Sequence, residues 1–223
     1  MRRFRSGSRD RRRIGLRRAE PVSTRFGLDR GRPVDRFYIE RFLVQNKELI
    51  RGRVLEVQER TYTDWFGTGV ERSDVLHAGP GNPEATLVGD LTTGEGIPQD
   101  AFDCIVLTQT LPFIWDVPAA VRGTRTALKP GGTLLATVPG ISQISREDMN
   151  EWGDWWRFTS ASAKRLFEQE YGADNVEVEP HGNLVAACAL LYGLAQHELE
   201  PAELERRQDD YEVIVTIKAR RAV

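Results

Sequence analysis

Acidic side chains are predicted to follow three successive apolar segments in the first half of this 223-residue chain. Glu56 ends VLEV, Asp74 lies in or at the end of GVERSDVLH, and Asp90 follows ATLV. In an open α/β sheet, ligands bind outside the carboxyl ends of the strands. A carboxylate there accepts two hydrogen bonds side by side, which suits both hydroxyls of a ribose, and a further acid can accept from an adenine amino group. The pattern therefore indicates a ligand that contains adenosine.

The turn after the first of these segments lacks the glycines that a nucleotide site normally carries there. It reads QERTY over residues 58–62, and Gly52 and Gly67 both lie outside it. Glycine lets the backbone approach a ligand closely, whereas larger side chains crowd the same space. The sequence leaves open whether the chain holds a cofactor differently or has lost it.

A tryptophan-rich stretch, EWGDWWRFT over 151–159, is a candidate acceptor site. Aromatic faces beside a carboxylate and a guanidinium suit a sugar or a flat molecule. The competing interpretation is structural, with Trp155 or Trp156 in the core and Arg157 paired with Asp154. The loop VPGISQISREDMNEWGD leads into this stretch after the predicted fifth strand, where a lid over an acceptor would fit. The expected substrate residues are Asp154, Trp155, Arg157 and Asn183.

A general base assists group transfer when the acceptor is a hydroxyl. His181, in EPHGN, is the preferred candidate because it lies just past the predicted sixth strand, and the competing interpretation is an ordinary surface-loop histidine. Cys104 and Cys188 are too few for a disulfide framework or a zinc site, so we expect no metal centre and a reducing cytoplasm.

Strands that alternate with helices must position these side chains. The apolar segments predict strands over 54–57, 70–76, 85–88, 103–107, 133–138, 175–180 and 211–221. Helical patterns occur over 37–50, before ALKPGG at 127–132, over 160–172 and over 184–199. This alternation is typical of an α/β domain with a mainly parallel sheet. The alternating polarity of the last segment predicts a final antiparallel strand at or near the edge.

Charge is unevenly distributed along the chain. Residues 1–20 carry nine arginines, Asp10 and Glu20, a charge of +7 in a chain whose net charge is −2, so the remainder is −9. This arm lacks the apolar region of a secretory signal, and no segment of the chain is apolar over a length that would span a bilayer. We expect a disordered arm over 1–21, with a polyanion or membrane-surface tether as the alternative. Residues 22–52 would form a connector and helix that could act as a lid, and 53–223 the main domain.

The order of these pieces resembles class I S-adenosylmethionine-dependent methyltransferases. The matching text is VLEV, SDVL and GDLTTGEGIPQDAFDCIVLTQTLPFIWDVPAAVRGTRTALKPGGTLLATVPG. Two further stretches, GDWWRFTSASAKRLFE and FGLDRGRPVDRFYIERFL, are similar to segments of methyltransferases found among bacterial sugar and glycan genes. The resemblance covers about residues 22–220. It implies a Rossmann-like, doubly wound sheet of seven mostly parallel strands with an antiparallel C-terminal strand.

The resemblance also implies S-adenosylmethionine as the cofactor. The expected cofactor residues are Glu56, Val57, Gln58, Arg60, Asp74, Val75, Asp90, Leu91, Thr108, Gln109, Thr110 and Arg36. The QERTY turn departs from the family, in which the acid is followed by Gly-x-Gly. Arg60 or Arg36 could pair with the methionine carboxylate, with the Gln58 amide on the amino group and DRGRPVDRFY folding over as a lid. Alternatively, the pocket is closed and the fold survives without transfer chemistry.

Three functional hypotheses result. The first is methyl transfer from S-adenosylmethionine to a small molecule or a sugar hydroxyl. The second is a methyltransferase-fold protein without methyl transfer, either a partner subunit or an enzyme with another reaction. The third is nucleic-acid binding through residues 1–20, whose affinity should fall steeply with salt. TQTLPF stands where a base-amino methyltransferase would carry Asn/Asp-Pro-Pro-aromatic, which disfavours methylation of a nucleobase.

Overall fold

A seven-stranded sheet organises the chain in the computed structural model, which describes residues 19–223. The strands are β1 Gly52–Val57, β2 Val70–His77, β3 Leu87–Val88, β4 Phe102–Thr108, β5 Leu128–Pro139, β6 Val176–His181 and β7 Ile214–Arg220. Their spatial order is β3-β2-β1-β4-β5-β7-β6. Strands β3, β2, β1, β4 and β5 are mutually parallel, and β7 is antiparallel to both of its neighbours. The Rossmann-like, mostly parallel fold is thus confirmed, with the antiparallel strand one position inside the edge.

Helices cover both faces of this sheet. They are α1 Val34–Gln45, α2 Thr61–Phe66, α3 Val117–Ala127, α4 Arg146–Glu151, α5 Ser160–Tyr171, α6 Leu184–Tyr192 and α7 Pro201–Glu205. Because side chains alternate along a strand, Leu55 packs in the cluster under α3 and α5, whereas Val54 packs in the cluster under α1 and α6. Within residues 19–223, no helix is long and apolar enough to cross a membrane.

Local turn residues set the helix boundaries. The first helix begins at Val34, directly after Pro33, which suits proline's fixed φ angle. Helix α6 ends at Tyr192 because Gly193 adopts a left-handed φ of +71° and closes the last turn. Helix α5 is capped by Thr159, whose hydroxyl accepts from the Ser162 amide.

The segment before β1 is packed into the domain core. Val34, Ile39 and Leu43 of α1 are fully buried. Upstream of this helix the chain passes over the carboxyl ends of the strands and makes an isolated bridge between Pro33 and Ala195. The predicted arm over 1–21 falls almost wholly outside the described residues, and its role stays a prediction.

Candidate functional site

The carboxyl ends of β1, β2, β4 and β5 open into a cavity of about 1020 Å³. Two segments cover it, residues 24–36 before and at the start of α1 and residues 142–157 after β5, and we call them the roof segments. Small-molecule sites commonly measure roughly 300–1,000 Å³. The cavity can therefore hold a nucleoside-sized cofactor together with an acceptor.

The QERTY turn reproduces a glycine-like backbone without a glycine. Gln58 directly follows β1 and adopts a left-handed φ of +74°, a conformation that costs little only for glycine. Its amide donates to the Leu76 carbonyl at 2.9 Å, and its carbonyl accepts from Asn82 Nδ2 at 2.6 Å. These two bonds hold the turn in place, with Val57 and Gln58 lining the cavity as expected.

Glu56 anchors the helix that follows this turn. Its carboxylate accepts from the Tyr62 amide at 3.1 Å, the Thr63 amide at 2.8 Å and the Thr63 hydroxyl at 2.7 Å. Burial raises the pKa of Glu56 to about 7, against the opposing effect of the hydrogen bonds from Thr63. Glu56 lines the cavity, but its hydrogen bonds serve the N-terminus of α2.

Asp74 and Val75, two of the expected cofactor residues, lie within β2 and outside the cavity. Asp74 lies inside β2, is 1% exposed, and accepts from Arg53 Nε at 2.7 Å and Arg72 NH2 at 2.9 Å. Desolvation raises the pKa of Asp74, but the hydrogen bonds from Arg53, Arg72 and Thr86 outweigh it and hold the pKa below its usual range. Neither residue lines the cavity, because the strand continues to His77 before it ends.

His77 and Asp90 are the polar side chains that do stand at the ends of β2 and β3 inside the cavity. His77 Nδ1 lies 2.6 Å from the Gly79 carbonyl, and its ring packs edge-on against Trp152 with centroids 5.6 Å apart. Asp90 Oδ1 accepts from the Thr92 amide and hydroxyl, both at 2.7 Å, while Oδ2 has no partner among residues 19–223. Leu91 is buried beside Asp90 in the cavity wall.

The end of β4 supplies the opposite wall. Thr108, Gln109 and Thr110 all line the cavity, as the sequence predicts. Gln109 has a left-handed φ of +53°. Its side-chain nitrogen Nε2 donates to Thr137 Oγ1 on β5 at 3.1 Å. That bond fixes the side chain against the neighbouring strand, so contact of these residues with a cofactor stays a prediction.

The two arginines proposed for a carboxylate differ in position. Arg60 is not among the residues that line the cavity, and it pairs with Asp64 at 3.3 Å. Arg36 lines the cavity, and within the described chain its guanidinium forms no hydrogen bond or ion pair. Beside it, Asp35 Oδ1 is buried and has no hydrogen-bond partner in residues 19–223. The sequence analysis missed Asp35, although the lid-like DRGRPVDRFY contains it.

Asp154 and Arg157 form a buried pair at the edge of the cavity. Arg157 donates to both carboxylate oxygens, at 2.5 and 2.8 Å, and Asp154 also accepts from the Ser145 amide at 2.9 Å. Desolvation raises the pKa of Asp154, but these bonds outweigh it and hold the pKa below its usual range. The pair therefore fixes the second roof segment, while Arg157 Nε remains buried without a partner in the described residues.

The tryptophans of WGDWW lie outside the core. Trp155, an expected substrate residue, is 49% exposed and does not line the cavity. The ring centroid of Trp115 lies 5.3 Å from those of Trp155 and Trp156. Trp156 Nε1 donates to the carbonyl of Ile114, a cavity residue, at 3.1 Å. The three rings thus form an exposed aromatic cluster at the rim of the cavity.

His181 and Asn183, the predicted base and one of the predicted substrate residues, are not among the residues that line the cavity. His181 Nε2 is 2.9 Å from Thr216 Oγ1, and its ring stacks on Tyr38 with centroids 6.0 Å apart. Burial lowers the pKa of His181. Asn183 caps α6, accepting from the Ala186 amide at 2.9 Å. His181 is the last residue of β6, and Asn183 lies two residues beyond it. Strand β6 is the edge strand, two positions away from β5.

Comparisons with known proteins agree with this architecture. A family model described as a methyltransferase domain matches residues 51–178. No curated protein is significantly similar in sequence to the chain.

Among solved structures, an S-adenosylmethionine-dependent methyltransferase from Mesorhizobium loti is 18% identical, with 87% of this chain and 100% of that chain covered and a TM-score of 0.53. A putative sarcosine dimethylglycine methyltransferase from Galdieria sulphuraria is 12% identical, with coverage of 83% and 86% and a TM-score of 0.54. A chain of the complex between the Haloferax volcanii Trm112 methyltransferase activator and a putative methyltransferase is 16% identical, with coverage of 85% and 92% and a TM-score of 0.53. At these identities the likeness concerns the fold.

Proposed function

The chain belongs to the methyltransferase domain family, and on that premise we propose that it transfers a methyl group from S-adenosylmethionine to a hydroxyl of a small molecule or sugar. The observation that carries the proposal is the cavity of about 1020 Å³ at the carboxyl ends of the parallel strands. Side chains with unused hydrogen-bonding capacity line it, including Asp90 and Arg36.

The residues at the ends of β2 and β3 fit the adenosine part of the cofactor. His77 pairs in register with Val88, two residues before Asp90, and both His77 and Asp90 line the cavity. Asp90 keeps one oxygen for an amino group or a hydroxyl, and Leu91 and Trp152 supply apolar surface for a flat base. Within β2, His77 lines the cavity and Asp74 does not.

S-adenosylmethionine supplies an electrophilic methyl group on a sulfonium. The chain's contribution is alignment and exclusion of water, since the roof segments close over the strand ends. Positioning of reactants can account for roughly 7–11 kcal/mol of a barrier. Because Asp154 is committed to Arg157 and Ser145, it positions the roof and is not free to accept a proton. We therefore assign no general base.

The aromatic cluster of Trp115, Trp155 and Trp156 supports a sugar as the acceptor. Exposed indole faces at a cavity rim give a surface on which the apolar face of a sugar ring can stack. Inside the rim, Trp152 lines the cavity and adds a further aromatic ring. This fits the resemblance to methyltransferases of bacterial sugar and glycan genes.

The compartment that we propose for the protein is the cytoplasm, because Cys104 and Cys188 are both free thiols, as is usual under reducing conditions.

The test combines binding and transfer with the purified full-length chain. We expect S-adenosylhomocysteine to release heat and raise Tm, and tritium from labelled S-adenosylmethionine to appear in one member of a panel of sugars and sugar nucleotides. Absence of heat, thermal shift and copurified nucleoside would overturn the proposal. Binding without transfer to any acceptor would favour the alternative of a methyltransferase-fold protein with another role.

Nucleic-acid binding through residues 1–20 stays a separate hypothesis, because these residues lie almost entirely outside the described part of the chain. If they bind nucleic acid, affinity for a random duplex should fall steeply as salt rises, since phosphate counterions are released. Loss of the effect on deletion of residues 1–20 is the matched control.

A further inference from the structure

The turn after β1 leaves open how the chain would hold the amino-acid end of its cofactor. In the first turn of α1, two adjacent residues with opposite charge line the cavity, Asp35 and Arg36. Asp35 Oδ1 is buried without a hydrogen-bond partner among residues 19–223, and the Arg36 guanidinium makes no hydrogen bond or ion pair in the same range. Buried polar groups are normally satisfied. Asp35 Oδ1 is an exception, and Arg36 lines the same cavity, so both residues are available to a ligand there.

The charges around this pair define what such a ligand must carry. Desolvation lowers the pKa of Arg36, but nearby Asp35, Glu40 and Glu59 outweigh it and raise the pKa, so the guanidinium stays charged. A ligand with only a carboxylate would be repelled by these acids, and a ligand with only a positive charge would be repelled by Arg36. A ligand with an ammonium and a carboxylate on one carbon satisfies both groups without adding net charge.

Contacts on either side fix the start of α1 near the turn after β1. Arg32 lies over the Trp65 ring of α2, 4.8 Å from its centroid, and Gln196 Nε2 donates to the Pro33 carbonyl at 2.9 Å. Gln58 of the turn and Tyr62 of α2 line the same cavity as Arg36. The side chains are thus held on a rigid element, as a binding pair requires.

We propose that Asp35 and Arg36 bind the α-ammonium and the α-carboxylate, respectively, of the amino-acid part of S-adenosylmethionine. This pair, which we call the zwitterion clamp, replaces the backbone contacts that a glycine turn would give. The inference rests on the proposed function, because it concerns the same cofactor. It explains how a turn without glycine is compatible with a retained site.

The experiment compares two ligands by calorimetric titration. S-adenosylhomocysteine carries the amino-acid end, and 5′-methylthioadenosine lacks it but keeps the adenosine and the sulfur. The variants are Asp35→Asn and Arg36→Met, with Arg60→Met as the matched control because Arg60 lies outside the cavity. Thermal melting of each variant reports whether it is folded.

We expect each clamp variant to weaken S-adenosylhomocysteine by about tenfold or more, as loss of a hydrogen bond to a charged group does. The affinity for 5′-methylthioadenosine should change by less than about twofold, since it makes no such bond. Arg60→Met should leave both affinities unchanged. Equal losses for both ligands, no loss for either, or a selective loss in Arg60→Met would each overturn the clamp. If the unmodified chain binds neither ligand, the proposed function itself fails, which is a different result from any of these.

Discussion

At the scale of single residues, Gln58 bears backbone strain that glycine would relieve. A left-handed conformation costs a non-glycine residue about 1–2 kcal/mol, whereas glycine loses about 0.5–1 kcal/mol through the entropy of the unfolded chain. Gln58→Gly should therefore raise Tm by roughly 2–4 °C, measured by thermal denaturation. Glu59→Gly is the control, because Glu59 is not left-handed and the change should lower Tm. A lower Tm for Gln58→Gly would show that its side chain holds the turn.

Glu56 should make stability depend on pH. Its pKa is raised to about 7 from 4.5, so the folded state binds the proton more tightly than the unfolded state. The contribution is most favourable below pH 4.5 and is lost as pH rises from there to about 7. From about pH 5 to about pH 8 the unfolding free energy should fall by about 2 kcal/mol relative to Glu56→Gln. Urea denaturation of both proteins checks this, and identical pH slopes would contradict it.

Asp74 should affect stability and leave the cofactor site intact. Asp74→Ala would leave Arg53 and Arg72 without their carboxylate partner, which should lower the free energy of unfolding by roughly 2–3 kcal/mol. The folded fraction should bind S-adenosylhomocysteine with unchanged affinity, because Asp74 does not line the cavity. Asp90→Asn should show the reverse, with nearly unchanged Tm and weaker binding. Selective loss of binding in Asp74→Ala at unchanged Tm would restore Asp74 as a ligand residue.

At the scale of elements, α3 depends on a glycine for its approach to the cavity wall. A Cβ at Gly123 would lie 1.9 Å from the Leu91 carbonyl oxygen, a backbone atom that cannot move away freely. Gly123→Ala should therefore lower stability by about 1–3 kcal/mol and displace the wall that carries Leu91. Gly79→Ala is the matched control, since its Cβ would meet open space. Equal melting temperatures for the two variants would contradict the close packing.

The elements themselves could be read from the sequence more readily than the site. Hydrophobic periodicity predicts all seven strands in order, because buried strands need apolar side chains whatever their ligand. The composition of a site depends instead on the residue at which each strand ends and on the position of that strand in the sheet. Asp74 does not line the cavity because β2 continues past it to His77, and His181 lies away from the cavity because β6 is the edge strand of the sheet. Asp35 carries no motif, and only the fold brings it to the cavity.

At the scale of the whole molecule, the two roof segments meet through few contacts. Gln143 Nε2 donates to the Thr24 carbonyl at 2.7 Å, and Arg25 lies 3.7 Å from Glu147 in an exposed pair. Exposed ion pairs contribute little, about 0–1 kcal/mol. The core under α1, by contrast, is fully buried at Ile39 and Leu43. A ligand can thus reach the cavity by parting the roof while the sheet and its helices stay folded.

Hydrogen exchange should therefore separate the roof from the rest of the molecule. At about 100 times its Kd, S-adenosylhomocysteine adds roughly 2.7 kcal/mol to global stability. We expect amides in 24–36 and 142–157 to exchange more slowly even under conditions in which they exchange by local opening. Amides in α7, none of whose residues lines the cavity, should change little. Gln143→Ala should speed exchange in both roof segments without ligand, because it removes their shared hydrogen bond. Equal protection throughout the chain would mean that the ligand enters only by global unfolding, and the roof would then be part of the rigid fold.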